Sequence, residues 1–445
     1  MSEWKALTLG YLSTQRKGIN YKSEDYGDEH SGHPFITIKC FVKGGGYEPT
    51  GIKFYDGFST KADHLSSGDL LFSVTDLTRA GDIVGSPLRV PDFGGTKPAL
   101  ASMDCMRIEP IANRCDKRFL YHRLMLSDVR RQMVAYAAGS TVLHLDTKKV
   151  PSIAVRIPVD VNLQSRIADV MDGIDNAIEK TEALIAKYQQ IKAGLMHDLF
   201  TRGVLPNGQL RPPREQEPEL YQETAIGWVP REWEVTGLAD KGRPGTHWIR
   251  TGPFGSALKG EHWRTFGHPV ITIGALGEGV FTDDELLFVD GRDAARLVDF
   301  QLKVGDVVFS RVADVGRSVV VRAEQAGWIM SSNLMRLAVD ENRARPDLLQ
   351  MALASDSRIK AQIRARVNSG GRDVANSDVL SQLRFVWPDI EEQDRIIARA
   401  NRASHRINTE QMKLSNLLAQ KQGLMHDLLT GKVPVKVEEP EAVDG

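Results

Sequence analysis

The sequence predicts an α+β protein made of two tandem copies of one unit, each a β-rich domain followed by a long helix. Three observations carry this expectation. A six-residue identity recurs at one fixed spacing, heptad-spaced apolar rows follow each β-rich stretch, and short apolar strand patterns precede them.

The repeat comes first. Gly194-Leu195-Met196-His197-Asp198-Leu199 recurs as Gly423-Leu424-Met425-His426-Asp427-Leu428, 229 residues on. The same spacing relates Trp4 to Trp233, Gln164 to Gln393, Arg166 to Arg395, Ile167 to Ile396, Lys192 to Lys421 and Thr201 to Thr430. Chance does not place so many matches in one register. Fainter echoes pair His33-Pro34-Phe35-Ile36-Thr37-Ile38 with His268-Pro269-Val270-Ile271-Thr272-Ile273, and Gly68-Asp69 with Gly305-Asp306, at slightly longer spacings. The fronts have therefore diverged while the backs have not. Two fronts acting on different targets, and two backs acting alike, would leave this pattern.

Residues 1–160 and 233–390 form the fronts. Strands are expected at Phe35–Lys39, Asp69–Val74, Asp306–Val312, Ser318–Arg322 and Ile329–Val339. Helical stretches follow near Phe119–Ala137 and Pro346–Arg366, and a last apolar run, Ile153–Ile157 or Leu383–Trp387, leads into the long helix.

The backs, residues 161–202 and 391–430, read as long helices. Ile167, Ile174, Thr181, Tyr188 and Leu195 recur every seven residues, and Met171, Ile178, Ile185, Lys192 and Leu199 make the second row. Val170, Ala177, Leu184 and Ile191 widen the stripe. The second copy has Ile396, Ala403, Leu417 and Leu424 on one row and Ala400, Ile407, Leu414 and Leu428 on the other, with Glu410 and Lys421 interrupting. Asp389 with Glu392 makes a capping box; Gly203 and Gly431, each with proline three residues on, mark the C-termini. At 1.5 Å per residue each helix spans roughly 55–60 Å. An apolar stripe of that length needs a partner, and antiparallel pairing of the two copies supplies one with pseudo-twofold symmetry. The alternative is that each helix packs on its own domain. His197 and His426 sit near the helix ends with no further metal ligand in view, so packing or partner docking is the expected role.

Residues 203–232, rich in Pro, Glu and Gln, are expected to be an extended connector, and residues 431–445 an acidic tail. No apolar run approaches the ~18 residues of a membrane span. The opening Met1-Ser2-Glu3-Trp4-Lys5 lacks the basic-then-apolar order of a secretory signal. Cys40, Cys105 and Cys115 are odd in number without Cys-x-x-Cys spacing, which suits free thiols in the cytoplasm. A net charge of −1 neither favours nor excludes nucleic acid.

Basic residues gather in glycine-containing stretches: Lys39, Lys43 and Lys53 around Gly44-Gly45-Gly46, and Lys259, Arg264, Arg311, Arg317 and Arg372 in the second front. Glycine allows close approach to a phosphate, and Lys and Arg neutralise it. For any single one of them, a solvated surface charge is the plainer reading. Catalytic patterns are missing: no Gly-x4-Gly-Lys-[Ser/Thr] loop, no Gly-x-Ser-x-Gly, and no (Asn/Asp)-Pro-Pro-aromatic tetrapeptide. His30-x-x-His33 is a weak metal pair, and Pro91-Asp92 with Asp146-Thr147-Lys148 a weak nuclease pattern.

Taken together, the duplicated Gly-Leu-Met-His-Asp-Leu ends, the helix entries Pro158–Ile167 and Pro388–Ile396, Leu210-Arg211-Pro212-Pro213 through Tyr221, Gly227-Trp228-Val229-Pro230 with Trp233, and Gly252-Pro253-Phe254-Gly255-Ser256-Ala257-Leu258-Lys259 resemble the specificity subunit of type I restriction–modification enzymes over nearly the whole chain. The first front departs from this pattern; its comparable region reads Gly18-Ile19-Asn20-Tyr21-Lys22. The resemblance implies two target-recognition domains separated by two long antiparallel coiled-coil helices. Each domain would read half of a split double-stranded DNA sequence. The helices would set the gap and dock two methyltransferase subunits. Those subunits bind S-adenosylmethionine, and restriction–translocase subunits use ATP and Mg2+. This chain would bind no cofactor, hold no metal and carry no catalysis. The competing readings are a free-standing DNA methyltransferase or nuclease, and a coiled-coil scaffold that never touches DNA.

Overall fold

The computed structural model describes residues 3–78, 80–95, 97–255, 257–277, 279–283, 285–312, 315–367 and 374–434. The chain divides into two compact units: Met1–Glu182 with Met412–Gly445, and Ala183–Gln411. The division falls within both long helices, Val161–Thr201 and Ile390–Leu428. No described helix is long and apolar enough to cross a membrane.

In the first unit a four-stranded antiparallel sheet has the order Ser13–Lys17, Cys105–Pro110, Leu70–Ser73, Pro87–Arg89. All four residues of Leu70–Ser73 are buried, which explains why that strand reads as an unbroken apolar run. A three-stranded sheet places His33–Ile36 between antiparallel Lys53–Tyr55 and parallel Leu100–Ala101. Trp4–Thr8 pairs with Ala154–Pro158, so the domain's two ends meet just before the long helix.

The second unit repeats this topology. Its four-stranded sheet runs Ile249–Thr251, Leu334–Leu337, Val307–Ser310, Ser318–Val320. His268–Ile271 lies between antiparallel Leu287–Val289 and parallel Ile329–Met330, and Glu234–Gly237 pairs with Arg384–Trp387. The His-Pro-x-Ile echo thus marks the central strand of the small sheet in both copies. Gly18 and Gly252 also occupy matching places. A Cβ on Gly18 would lie 2.1 Å from the Ser102 carbonyl oxygen, and one on Gly252 1.9 Å from that of Ser331. Three expected elements differ. The stretch Ile329–Val339 is two strands parted by a turn at Ser331–Asn333. Each single helical stretch is two helices, Lys117–Leu124 with Ser127–Ala135 and Pro346–Ser355 with Ser357–Val367. Leu126 and Asp356 take extended backbone at the breaks, and the Asp356 carboxylate accepts from the Arg358 N–H at 2.9 Å, starting the next helix.

Within each unit the helix segments pack antiparallel. In the first, Ile167, Ala168 and Met171 share a core with Leu428 and Leu429, and Asp175 pairs with Lys421 at 2.7 Å. In the second, Met196, Leu199 and Phe200 share a core with Ile396 and Ala400, and Arg406 stacks over the Tyr188 ring at 4.6 Å. Ile178, Ile185 and Ile407 are buried; Ile174, Tyr188, Leu195, Leu414, Leu417 and Leu424 are half-buried. Buried Thr181 spends its hydroxyl on the Ala177 carbonyl at 2.7 Å. Two expectations fail: Val170 and Ile191 are 43% and 52% exposed, so the stripe is narrower than the sequence implies. His197 and His426 are exposed as well, off the seam, because positions one residue after Met196 and Met425 face outward at 100° per residue.

The connector is more structured than its composition predicts. Tyr221–Thr224 and Gly227–Pro230 form a hairpin, and Val204 and Val229 enter the second unit's core.

One buried glutamine in each unit ties the β-rich domain to its long helix. Gln164 accepts from the Asp116 N–H at 2.8 Å and donates to the Pro158 carbonyl at 2.8 Å. Gln393 accepts from the Arg345 N–H at 2.8 Å and donates to the Pro388 carbonyl at 2.9 Å. Both are fully buried. Replacing either with leucine orphans one buried carbonyl and one half-buried N–H, so each substitution is expected to destabilise its own unit by about 1–3 kcal/mol. Urea denaturation followed by hydrogen exchange in each unit checks this; a loss below 0.5 kcal/mol, about the size of an ordinary surface change, would refute the role.

Candidate nucleic-acid interface

The expected basic residues fall into two groups. In the first unit Lys39, Lys43 and Lys53 are exposed. Lys39 lies on the turn Ile38–Cys40 and Lys53 opens an edge strand of the small sheet. Lys43 pairs with Asp82 at 2.6 Å across an exposed surface, a contact of little energetic weight. Gly44, Gly45 and Gly46 all have positive φ, 88°, 127° and 123°. Gly45 also needs to be small, since a Cβ would meet Met125 at 2.8 Å. Gly44 opens on space free of protein atoms, and a Cβ on Gly46 would make only ordinary contact with Val42 at 3.6 Å.

In the second unit Lys259 is exposed. Arg264 pairs with Asp290 at 3.0 Å and donates to the Glu261 and Trp263 carbonyls at 2.8 and 3.0 Å, so it braces its own loop. Arg311 is half-buried, and its backbone bridges Asn333 and Ala375. Arg317 donates to the Leu276 carbonyl at 2.8 Å. Arg372 lies outside the described residues.

Of these, Arg317 enters a larger constellation. A cleft of about 590 Å³ is lined by Gly277, Gly279, Gly316, Arg317, Lys360 and Arg364 among others, with no carboxylate among its described lining residues. Gly279 and Gly316 have positive φ, 73° and 109°, so the backbone turns tightly at the rim. Lys360 and Arg364 come from the helix Ser357–Val367, whose Ile359, Ile363 and Val367 are buried. That apolar spacing turns the cations outward. The sequence reading missed both; the signal was Lys360 and Arg364 four apart on the polar face of an amphipathic helix. Arg311 and Lys259 do not line this cleft.

Comparison with known proteins bears on what such a surface serves. Residues 1–189 match the family model described as the type I restriction modification DNA specificity domain. The chain is 21% identical over 391 residues to the type I restriction enzyme MjaVIII specificity subunit of Methanocaldococcus jannaschii, covering 86% of this chain and 84% of the relative. It is 20% identical over 466 residues to the EcoBI specificity subunit of Escherichia coli, covering 99% and 89%. The chain is thus similar over most of its length to type I restriction enzyme specificity subunits, and residues 1–189 match their DNA specificity domain. The fold is shared with the S subunit crystal structure from M. genitalium, at a TM-score of 0.58, 15% identity and 96% coverage of both chains.

The first unit seats its β-rich domain on the long helix through a polar cluster that the second copy lacks. Buried His122 contacts the Asp172 carboxylate at 2.8 Å, and Arg89 donates to the same carboxylate at 2.6 Å. Arg118 pairs with Asp169 at 2.6 Å. Counting 229 residues on, His122 becomes Met351, Asp172 becomes Asn401 and Asp175 becomes Ser404. Burial pushes the His122 imidazole below its ordinary value, only partly opposed by Asp172. Burial would raise the Asp172 carboxyl, but bonds from His122 and Arg89 win and hold it down to about 2.

Both shifts act in one direction. Unfolded His122 takes up a proton below its ordinary 6.5 while the folded imidazole resists, so its contribution is complete above 6.5 and lost on acidification. The contribution of Asp172 is complete above its ordinary 3.8 and lost as pH falls toward about 2. Hydrogen-exchange protection of residues 117–135, corrected for intrinsic rates, is therefore expected to fall between pH 7 and pH 5. The double variant His122→Met, Asp172→Asn, which installs the second copy's residues, is expected to flatten that fall. An unchanged pH profile would contradict the assignment.

Proposed function

We propose that this chain reads a bipartite double-stranded DNA sequence and carries no catalytic step itself. The observation that carries the reading is the duplicated topology with unlike loops: the same two sheets in each unit, but different basic and glycine positions around them. Two heads of one architecture with different surfaces suit two different half-sites. Phosphate contacts from Lys39, Lys43, Lys53, Lys259, Lys360 and Arg364 supply affinity, and base-edge contacts supply sequence. Arg264, Arg311 and Arg317 would act with them, as would Arg372, which lies outside the described residues.

Finer features of the proposal rest on the long helices. The antiparallel packing inside each unit, and the continuity of both helices, support one two-helix spine that separates the two recognition domains with pseudo-twofold symmetry. Its exposed faces, including His197 and His426, would dock two methyltransferase subunits, with S-adenosylmethionine bound there. Restriction–translocase subunits would bring ATP and Mg2+. A cytoplasmic location fits partners that act on chromosomal DNA. Mapping methylated adenines in host cells with and without this chain tests the reading. The expected result is one split motif with a fixed gap that disappears on deletion; a contiguous motif, or no change, would overturn it.

A further inference from the structure

Three phenylalanines differ from every other large apolar residue described. Phe58 is 86% exposed, Phe254 81% and Phe266 82%, while the next, Met412, is 70%. Single exposed apolar residues are ordinary on a protein surface; the placement of these three is what carries weight. Phe58 follows the strand Lys53–Tyr55 of the small sheet in the first unit. Phe266 precedes the strand His268–Ile271, the centre of the corresponding sheet in the second. Phe254 lies two residues after Gly252, which is wedged against Ser331.

The loops that hold these rings are braced. The Tyr55 hydroxyl donates to the Phe58 carbonyl at 3.2 Å, and the Thr60 N–H donates to Asp63 at 2.9 Å. Ala257, Leu258 and Trp263 pack on the cluster of Val270, Val289 and Ile329, and Arg264 ties the same loop to its own carbonyls. The chain thus anchors the neighbours and leaves the rings in solvent. Exposed cations stand beside them in sequence: Lys53 and Lys61 near Phe58, Lys259 and Arg264 near the other two.

We infer that Phe58 in one recognition domain, and Phe254 and Phe266 in the other, are aromatic contacts to duplex DNA, each pressing its ring on a base step while neighbouring cations take phosphates. This rests on the DNA-reading role proposed above. A partner shared by both copies would meet the same residue type twice. Counted from the matching Gly18 and His33, however, the first-copy counterparts of Phe254 and Phe266 are Asn20 and Ser31. Residues that differ between copies suit a ligand that differs between half-sites.

The test uses the full chain assembled with its methyltransferase subunits and a duplex that the wild-type complex selects from a random-sequence pool. Affinity is measured against salt concentration for Phe58→Ala, Phe254→Ala and Phe266→Ala, with Lys259→Ala alongside. Each phenylalanine variant is expected to bind about tenfold more weakly at an unchanged slope of log affinity against log salt. Lys259→Ala should flatten that slope by about one unit. Phe→Leu, which keeps apolar bulk, should recover part of the loss. Binding within twofold of wild type for all three alanine variants would overturn the inference. So would a defect confined to methyltransferase assembly. If the wild-type complex selects no sequence at all, the DNA-reading role itself fails, and that result is distinguishable from the other two.

Discussion

Arg211→Met is expected to destabilise the second unit by about 3–5 kcal/mol. Arg211 and Glu392 are 4% and 1% exposed, and their charged groups lie in direct contact. Glu392 also accepts from the Val204 N–H at 2.9 Å and the Trp233 indole N–H at 3.1 Å, while Arg211 reaches Glu232 at 2.7 Å. Burial alone would lower the Arg211 guanidinium, but bonds from Glu392 and Glu232 more than offset this and hold it charged. Removing the arginine leaves a buried carboxylate with two neutral donors and no countercharge. Glu392→Gln is expected to cost less, because Arg211 keeps Glu232 and the amide oxygen still accepts. The double variant removes both charges while retaining that acceptor, so it should be more stable than Arg211→Met alone. Six of the seven tryptophans lie in the second unit, so indole fluorescence in urea reports mainly on it. A double variant no more stable than the single one would show that lost packing, not an uncompensated charge, sets the cost. Nature offers a partial precedent within the same chain: the first-copy counterpart of Glu392 is Leu163.

That network shows which parts of the molecule are legible in the sequence. Gly203 reads correctly as a helix stop and Asp389 as an N-cap, accepting from the Glu392 N–H at 2.7 Å, because those signals are local. The Glu392 side chain does not complete the expected capping box, being spent on Arg211, Val204 and Trp233. The meeting of Gly203 with Glu392 is not local. A Cβ on Gly203 would fall 2.1 Å from Glu392 Oε1, and Arg211 and Glu392 are 181 residues apart in sequence. The long helices were legible because heptad periodicity accumulates over many turns, whereas Val170 and Ile191 misled because apolar character does not by itself reveal the angular width of a seam. Gln164 and Gln393 were visible as a repeated pair, but not as buried clamps. The basic residues proved hardest to place. Lys43 and Arg264 pair with Asp82 and Asp290 in exposed contacts that a phosphate could replace, and the cleft draws Lys360 and Arg364 from a helix that carries no glycine signal. Side-chain direction in loops depends on contacts that have no period.

Removing one heptad from each long helix, residues 179–185 and their counterparts 408–414, is expected to shorten the preferred gap between half-sites by about three base pairs. Seven residues shorten a helix by roughly 10 Å at 1.5 Å per residue, and duplex DNA rises about 3.4 Å per base pair. Deleting seven rather than four keeps the apolar seam nearly in phase, to about 20°, so the surviving rows still meet. The cut removes buried Thr181 and Ile185 but spares Asp175, Lys421, Tyr188 and Arg406, which pair on either side of it. Methylation of the original target should fall by about 100-fold or more, since one half-site then forfeits its base contacts. A target with the shorter gap should recover much of that loss. Cutting only one helix should give neither result, because its partner would present seven unmatched residues and the seam would slip. The readout is methylation by the chain with its methyltransferase subunits on duplexes whose gap varies one base pair at a time. If the doubly shortened chain still prefers the original gap, the helices do not measure DNA, and the spacing must be set within the recognition domains themselves.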